Sequence, residues 1–311
     1  MTADPDPPTT WPAVSVVIPT RNRPDHAVAC ARTILRGDGF VELLVVDQSE
    51  GGETESGLAA VHDPRLRYVR SSLRGATNAR NVGVDRTTGA VVAFTDDDCR
   101  AAPDWVPSLA RIFASDPEAA VVCGRVCVPQ ALERDGYAAV FEPVVREWQA
   151  RFPPPGQDWG ITANFAVRRD VLMRVGNFDP LLGVGAPLQS GEEPDFLYRV
   201  LKAGLKVVNA SEVRVDHLGI RAPGPETRAL WRTYAIGTAA ALFKYVRLRD
   251  PSGTKLYLRW LWSSAWRVVR SVASGSRPTG IGFLLAFLYG SVASYRFDID
   301  PHRRQYVRRV S

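Results

Sequence analysis

The sequence predicts an α/β protein: a mostly parallel central sheet flanked by helices, with a C-terminal α-helical extension. Three observations predict it. Short, mainly apolar runs recur at Val14–Ile18, Leu43–Val46 and Val91–Phe94, and a strand covered on both faces of a parallel sheet reads as such a run. Helix-forming stretches separate them, and strand–helix alternation is the signature of a doubly wound sheet. The chain has 311 residues, 45% of them hydrophobic, enough to bury a full core.

Val14 to Pro19 is the first strand, and Thr20-Arg21-Asn22-Arg23-Pro24 is the loop after it. A helix follows to about Leu35. Leu43 to Asp47 is a second strand, ending in a carboxylate, and a short helix leads to a third, Leu66–Val69. Gly75 opens a helix from Ala76 to about Arg86 that carries Asn78, Arg80 and Asn81, with Gly89 as its C-cap. The fourth strand runs into Asp96, Asp97 and Asp98. Pro103–Ala114 reads as a helix, Ala119–Val128 as a fifth strand, and Tyr137–Gln149 as helix-like ahead of the breaker Pro153-Pro154-Pro155-Gly156. Ile161–Val167 fits a strand and Arg169–Val175 a short helix. Phe178–Gly191, rich in glycine and proline, has the composition of a mobile loop over a site. Phe196, Val200 and Leu201 repeat at helical spacing after Gly191, and Gly204 stops that helix. Val207–Val208 and Val213–Val215 are short strands, the second leading into Asp216-His217.

The remainder reads as helical over Ala229–Val246 and Leu256–Val272. In the latter, Leu258, Leu261, Ala265, Val268 and Val272 form one stripe. Arg259, Arg267 and Arg270 fall opposite, with Trp260, Trp262 and Trp266 at the flanks. A helix lying on a membrane surface has this pattern, and so does one packed on the protein body. Pro278–Tyr295 carries no charge over 18 residues, the lower limit for a span, and fits a buried or re-entrant hairpin. The organisation expected is a disordered arm over 1–12, an α/β domain over 13–220 and a basic, Trp-rich helical region over 221–311.

The net charge of +6 is unevenly spread: from Arg221 onward there are 16 Lys+Arg against 4 Asp+Glu, which leaves the first 220 residues at −6. A basic tail on an acidic body suggests an anionic contact, either a membrane surface or nucleic acid; no nucleic-acid motif accompanies it. The four cysteines are scattered, and Cys123 and Cys127 within one strand lie about 13 Å apart, too far to bridge. A reduced, cytoplasmic compartment fits. The first residues lack the basic and apolar regions of a signal peptide.

The chemistry concentrates at strand ends. Alternation along a strand points Asp96 and Asp98 the same way, and three adjacent carboxylates are costly without a cation or donors to meet them. A divalent-metal and nucleotide site is one reading, a solvated acidic turn the other; an EF-hand is excluded because its 12-residue ligand pattern is missing. Glu192 and Glu193 at a helix N-terminus can face a cleft, or sit as first-turn acids with an ion pair to Arg199. His217 alone reads more readily as structural than as a ligand. No G-x-G-x-x-G follows the first strand, which argues against a dinucleotide fold.

Taken in order, Val-Val-Ile-Pro-Thr-Arg-Asn-Arg, Ala-Arg-Asn-Val-Gly, Phe-Thr-Asp-Asp-Asp and Gly-Glu-Glu-Pro-Asp-Phe followed by Val-Asp-His resemble the family 2 glycosyltransferases of GT-A fold, over about residues 13–220. The resemblance implies a nucleotide-sugar donor, a UDP-sugar by default, across the carboxyl edge of the sheet. Pro19, Thr20, Arg21 and Arg23 would line the nucleoside pocket, Asp47 would accept from the base, and Arg80 with Asn78 or Asn81 would hold the nucleotide. Asp96, Asp97 and Asp98 match the family's D-x-D motif: Asp98 with Asp96 and His217 would bind Mn²⁺ or Mg²⁺, and Asp96 or Asp97 would reach the ribose or base. The catalytic base of this inverting reaction falls at Glu193, one methylene longer than the usual aspartate, with Glu192 in reserve and Asp195 orienting the base or touching the acceptor. The chain lacks the Q-x-x-R-W motif of processive members, so a single addition to a hydroxyl acceptor is implied, at or near the inner face of the membrane. The rival readings are a sugar nucleotidyltransferase, which would need a glycine-bearing phosphate loop at Thr20–Pro24, and a non-catalytic nucleotide-sugar-binding or scaffold protein.

Overall fold

Four buried or half-buried strands and three helices alternate through the first hundred residues: β1 (Val14–Thr20), α1 (Pro24–Leu35), β2 (Glu42–Asp47), α2 (Glu53–Ala59), β3 (Leu66–Arg70), α3 (Ala76–Arg86) and β4 (Val91–Phe94). Every residue of β1, β2 and β4 is buried, because helices cover both faces of these strands. The edge strand β3 is partly exposed. The computed structural model describes residues 11–132, 136–148, 152–153, 159–274 and 279–309. Most of the N-terminal arm and Pro154–Gly156 lie outside these.

β5 (Cys99–Ala101), α4 (Trp105–Ser115), β6 (Ala119–Cys127), β7 (Glu147–Trp148), β8 (Phe165–Arg168), α5 (Arg169–Val175), α6 (Glu192–Lys202) and β9 (Lys206–His217) complete the α/β body. The sheet runs β3-β2-β1-β4-β8-β6-β9-β5, with β7 beside β9. It is parallel from β3 to β4, and reverses at β8, which is antiparallel to both β4 and β6. Ligands of such sheets bind where strand order turns, beyond the carboxyl ends. Here that point lies between β1 and β4, where the loops carrying Thr20 and Asp96–Asp98 meet.

Three further helices follow, α7 (Pro225–Arg247), α8 (Pro251–Ala273) and α9 (Ile281–Ala293), then a hairpin of β10 (Phe297–Asp300) and β11 (Gln305–Arg308). The core continues from Val16, Phe94 and Phe165 into Ile236, Leu242, Tyr245, Leu256 and Phe287 without a break. Among the described residues no helix is long and apolar enough to cross a membrane.

Several elements differ from the sequence expectation. Tyr137–Trp148 is extended: Phe141 bridges Val126 and Tyr137 bridges Arg221, and Glu147–Trp148 pairs with β9. Pro143 removes a donor from any helix there and disfavours helical backbone before it. The first part of Ile161–Val167 is a 3₁₀ turn, Thr162–Asn164, and the strand starts at Phe165. The two valine strands are one strand, β9, whose register slips opposite Gly124 and Arg125. α4 starts at Trp105 rather than Pro103. Gly89 is no cap: α3 ends at Arg86, and the Gly89 amide donates to Ser15 Oγ at 2.8 Å. Phe178–Gly191 is built into the body, with Phe178, Asp179, Leu182 and Leu188 buried and Asn81 Nδ2 donating to the Phe178 carbonyl at 2.9 Å. The uncharged stretch from 278 onward forms a single helix, α9, in place of a hairpin; Pro278 lies outside the described residues. The α8 stripe divides: Leu261 and Val268 are half-buried against the body, while Leu258 and Val272 point outward with Trp262 and Trp266. All four cysteines are free, and Cys123 and Cys127 share β6.

Candidate active site

β4 ends at Phe94, so the three aspartates lie on a turn and the strand alternation does not govern them. They diverge. Asp97 accepts from Thr20 Oγ1 at 2.7 Å and from Arg23 Nη1 at 3.0 Å. The same Arg23 nitrogen lies 2.9 Å from Asp98 Oδ2. Antiparallel pairing of β5 with β9 sets Cys99 opposite His217, which brings His217 Nε2 to 3.3 Å from the other Asp98 oxygen. Asp96 turns away from this pair, and its Oδ1 accepts from Arg80 Nη2 at 2.7 Å.

Burial works against charge on Asp98, but the His217 and Arg23 contacts outweigh it and hold the carboxyl down at about 2. Burial pushes Asp97 up, with Thr20 and Arg23 offsetting part of the effect. Burial would lower His217, yet Asp98 and Asp96 raise it. Burial likewise opposes the Arg80 charge, which Asp96, Glu192 and Glu193 more than restore.

Arg80 joins the triplet to α6. Its Nη1 is 3.4 Å from Glu192 Oε1, and both side chains are buried. Burial, and then the neighbouring Glu193, push the Glu192 carboxyl up to about 8. Gly191, in left-handed backbone at φ 93°, starts the helix; a side chain there would collide with the Gly237 carbonyl oxygen. The helix phase then separates its acids. Glu192, Asp195, Phe196 and Arg199 point inward, while Glu193 is partly exposed. Glu193 Oε1 accepts from the Thr162 amide at 3.1 Å and from Thr162 Oγ1 at 2.9 Å. Its second oxygen has no hydrogen-bond partner among the described residues.

Four expected site residues are employed elsewhere. Asp195 is completely enclosed: Oδ1 meets Tyr245 and Lys244, Oδ2 meets Arg199, and no surface remains for an acceptor. Asp47 is also fully buried, accepting from the Ser49 amide at 2.9 Å and the Tyr68 hydroxyl at 3.1 Å. Asn78 folds back to the Arg74 carbonyl, 2.6 Å away. Asn81, a helical turn on from Asn78, holds Phe178. Pro19 and Thr20 are buried at the end of β1, and Arg21 is exposed beside them.

The group that can hold a metal among the described residues is Asp98, Cys99 and His217, with candidate ligand atoms within 4.8 Å of one another. Asp96, committed to Arg80, is not among them. Burial raises the Cys99 thiol well above its ordinary value, and sulfur is a softer donor than Mn²⁺ or Mg²⁺ prefers. The carboxylate and imidazole left suit a hard or borderline divalent ion. Space is kept beside them: a Cβ on Gly219 would lie 2.5 Å from Asp98 Oδ2 and 3.1 Å from His217 Cε1. The donor set and the opening fit Mn²⁺ or Mg²⁺.

Sequence reasoning missed Thr162 and Gly219. Thr162 sits on an isolated 3₁₀ turn with no periodic signal. The Asp-His-Leu-Gly order, a ligand followed by a residue without a side chain, was the one available signal for Gly219.

The family model described as glycosyl transferase family 2 matches residues 15–176. A glucosyl-dolichyl phosphate glucuronosyltransferase of Haloferax volcanii is 30% identical over 186 residues, 57% of this chain and 59% of that protein. The glycosyltransferase AglE of the same organism is 26% identical over 235 residues, 73% of each. The chain therefore spans less than two thirds of the first of these relatives. Among solved structures, a mannosyltransferase from Pyrobaculum calidifontis in complex with GDP-Man and Mn²⁺ aligns over 93% of this chain and 87% of its own, with a TM-score of 0.58 and 22% identity. Coverage of that extent takes in the C-terminal helices as well as the sheet, and the shared architecture is the GT-A fold. With just over half its length inside the family model, the chain belongs to glycosyl transferase family 2.

Proposed function

We propose that the protein transfers a sugar from a nucleotide-sugar donor, a UDP-sugar in the first instance, to a hydroxyl acceptor in a single inverting step. One observation carries the reading: the Thr20–Asp97–Arg23–Asp98–His217 chain of contacts at the sheet edge is linked through Asp96 and Arg80 to the start of α6, where Glu193 keeps one oxygen unengaged.

In this reading the donor lies over the carboxyl ends of β1 and β4, with the nucleoside against Pro19, Thr20 and Arg21. Arg80 has a buried Nε with no partner, a donor suited to an anionic oxygen of the diphosphate. Asp98 and His217 would hold Mn²⁺ or Mg²⁺, which when bound supplies positive charge to the departing diphosphate. Arg23, half-exposed and resting on Asp97 and Asp98, is free to swing out as such an ion enters.

Glu193 is the base. Thr162 grips Oε1 and aims Oε2 at the acceptor hydroxyl. The acceptor oxygen gives its proton to Oε2 and bonds to the anomeric carbon, while the bond from that carbon to the diphosphate oxygen breaks on the opposite face. The nucleoside diphosphate leaves with the electron pair, and the configuration inverts. Glu192 is drawn inward to Arg80 and does not reach the acceptor.

The test is transfer by wild type and Glu193→Gln, beside a thermal-shift screen of nucleotide sugars with and without Mn²⁺, since a bound donor stabilises the fold by mass action. We expect stabilisation of both proteins by one donor and transfer by wild type alone. Equal transfer rates would overturn the reading.

A further inference from the structure

Between the end of α7 and the outer face of α8 lies a hollow of about 560 Å³, lined by Arg249, Lys255 and Arg259 around an apolar floor that includes Leu258 and Trp262. No acidic side chain lines it. Among the described residues none of the three cations makes an ion pair. The one carboxylate nearby in sequence, Asp250, faces the other way, toward Lys202 at 3.1 Å and Arg304 at 2.8 Å. Arg249 takes left-handed backbone, φ 54°, at the position after a helix where glycine is the ordinary choice.

The hollow opens onto an apolar surface. Trp262 is 69% exposed and Trp266 53%, stacked with ring centroids 6.1 Å apart. On the neighbouring α9, Leu285 is 61% and Val292 68% exposed, and that helix carries no charged residue. Large apolar residues exposed together on adjacent helices would ordinarily be covered. Indole rings favour the interface between headgroups and acyl chains, and unpaired cations beside them complement anionic headgroups.

We infer that this flank docks on a bilayer containing anionic lipid, with a headgroup phosphate seated among Arg249, Lys255 and Arg259 and the two tryptophans entering the interface. The inference stands independently of the transfer chemistry, since neither helix supplies a residue to the sheet edge.

The experiment is co-sedimentation of the full chain with vesicles of phosphatidylcholine alone and of phosphatidylcholine carrying phosphatidylglycerol. Each cation near an anionic surface contributes about fivefold to partitioning. Arg249→Gln with Arg259→Gln should therefore weaken binding to anionic vesicles ~25-fold and leave the weak binding to neutral vesicles unchanged. Trp262→Ser with Trp266→Ser should weaken both. These positions are exposed, and an unchanged melting temperature certifies each variant as folded. Wild type that ignores anionic vesicles would overturn the inference, as would charge variants that bind like wild type. So would a dimer of the free chain that the tryptophan substitutions dissolve while vesicles fail to bind.

Discussion

Lys244 Nζ stands 2.6 Å from Asp195 Oδ1, and neither side chain has any solvent exposure. The same ammonium lies 2.7 Å from Asp179 Oδ2, which also accepts from the Tyr306 amide at 2.8 Å. A helix from the basic C-terminal region thus clamps the segment before α6, the first turn of α6 and the final hairpin together. Lys244→Met would leave the buried Asp179 carboxylate without its cation and take one of two cations from Asp195, and breaking a buried pair from one side costs about 3–5 kcal/mol. At roughly 2–4 °C per kcal/mol for a chain of this size, thermal unfolding should fall by ~10 °C. A change under about 2 °C would mean the clamp is dispensable.

Glu193→Gln should lower the turnover number by ~10²-fold or more, the scale of a lost general base, while donor-induced stabilisation persists. Thr162→Val removes the hydroxyl grip and keeps the amide, so a smaller fall, ~10-fold, is expected in turnover with the donor KM unchanged. Steady-state kinetics at saturating donor distinguish the two variants; a Thr162→Val enzyme altered in KM alone would detach Thr162 from the base.

Asp98→Asn and Gly219→Ala test the metal pocket by different routes. The first removes a ligand charge, and the second places a methyl where the Asp98 carboxylate and His217 ring converge. Both should abolish the Mn²⁺-dependent part of the thermal shift, with Mn²⁺ affinity measured by calorimetry down ~10-fold or more. Asp96→Asn should spare Mn²⁺ affinity, because Asp96 belongs to Arg80.

Glu192 makes a pH prediction. Burial first, and Glu193 second, push its carboxyl up to about 8 from the ordinary 4.5. The folded chain thus holds this proton more tightly than the unfolded chain. The associated stability is complete below about 4.5 and is lost as pH climbs through about 8. Glu192→Gln imitates the protonated form at every pH. The melting temperature of the variant relative to wild type should rise from near zero around pH 5 to roughly +5 °C around pH 9. The opposite slope would show Glu192 to be charged and well compensated by Arg80.

Much of the sheet and part of the site were legible in the sequence. Val14–Ile18 and Val91–Phe94 announce doubly covered strands because only Ser15 interrupts their apolar runs, and α3 opens directly after Gly75. The ordered motifs fix which residues approach the sheet edge, since parallel strands deliver their carboxyl ends to one side. What sequence could not convey is the orientation of individual carboxylates. Asp96 and Asp98 part because the strand stops before them. Asp195 faces inward because it lies three residues from Glu192 and four from Arg199 on one helical face, a phase its motif does not state. The Tyr137–Trp148 stretch has helix-like apolar spacing, yet Pro143 and the open edges of β6 and β9 favour extended pairing. Thr162, Gly219 and Lys244 act only through contacts distant in sequence.

The reversal of strand direction at β8 has a consequence for how the enzyme can diversify. Every group assigned to the nucleotide comes from the parallel side, residues 14–98, apart from His217, whereas Glu193 and its Thr162 support come from beyond the reversal. The seam between β4 and β8 is therefore a natural crossover point for chimaeras. Grafting the later portion of a relative onto this N-terminal portion, with β5 and β9 exchanged together to keep His217 opposite Cys99, should change which alcohol is glycosylated and preserve which nucleotide sugar is consumed.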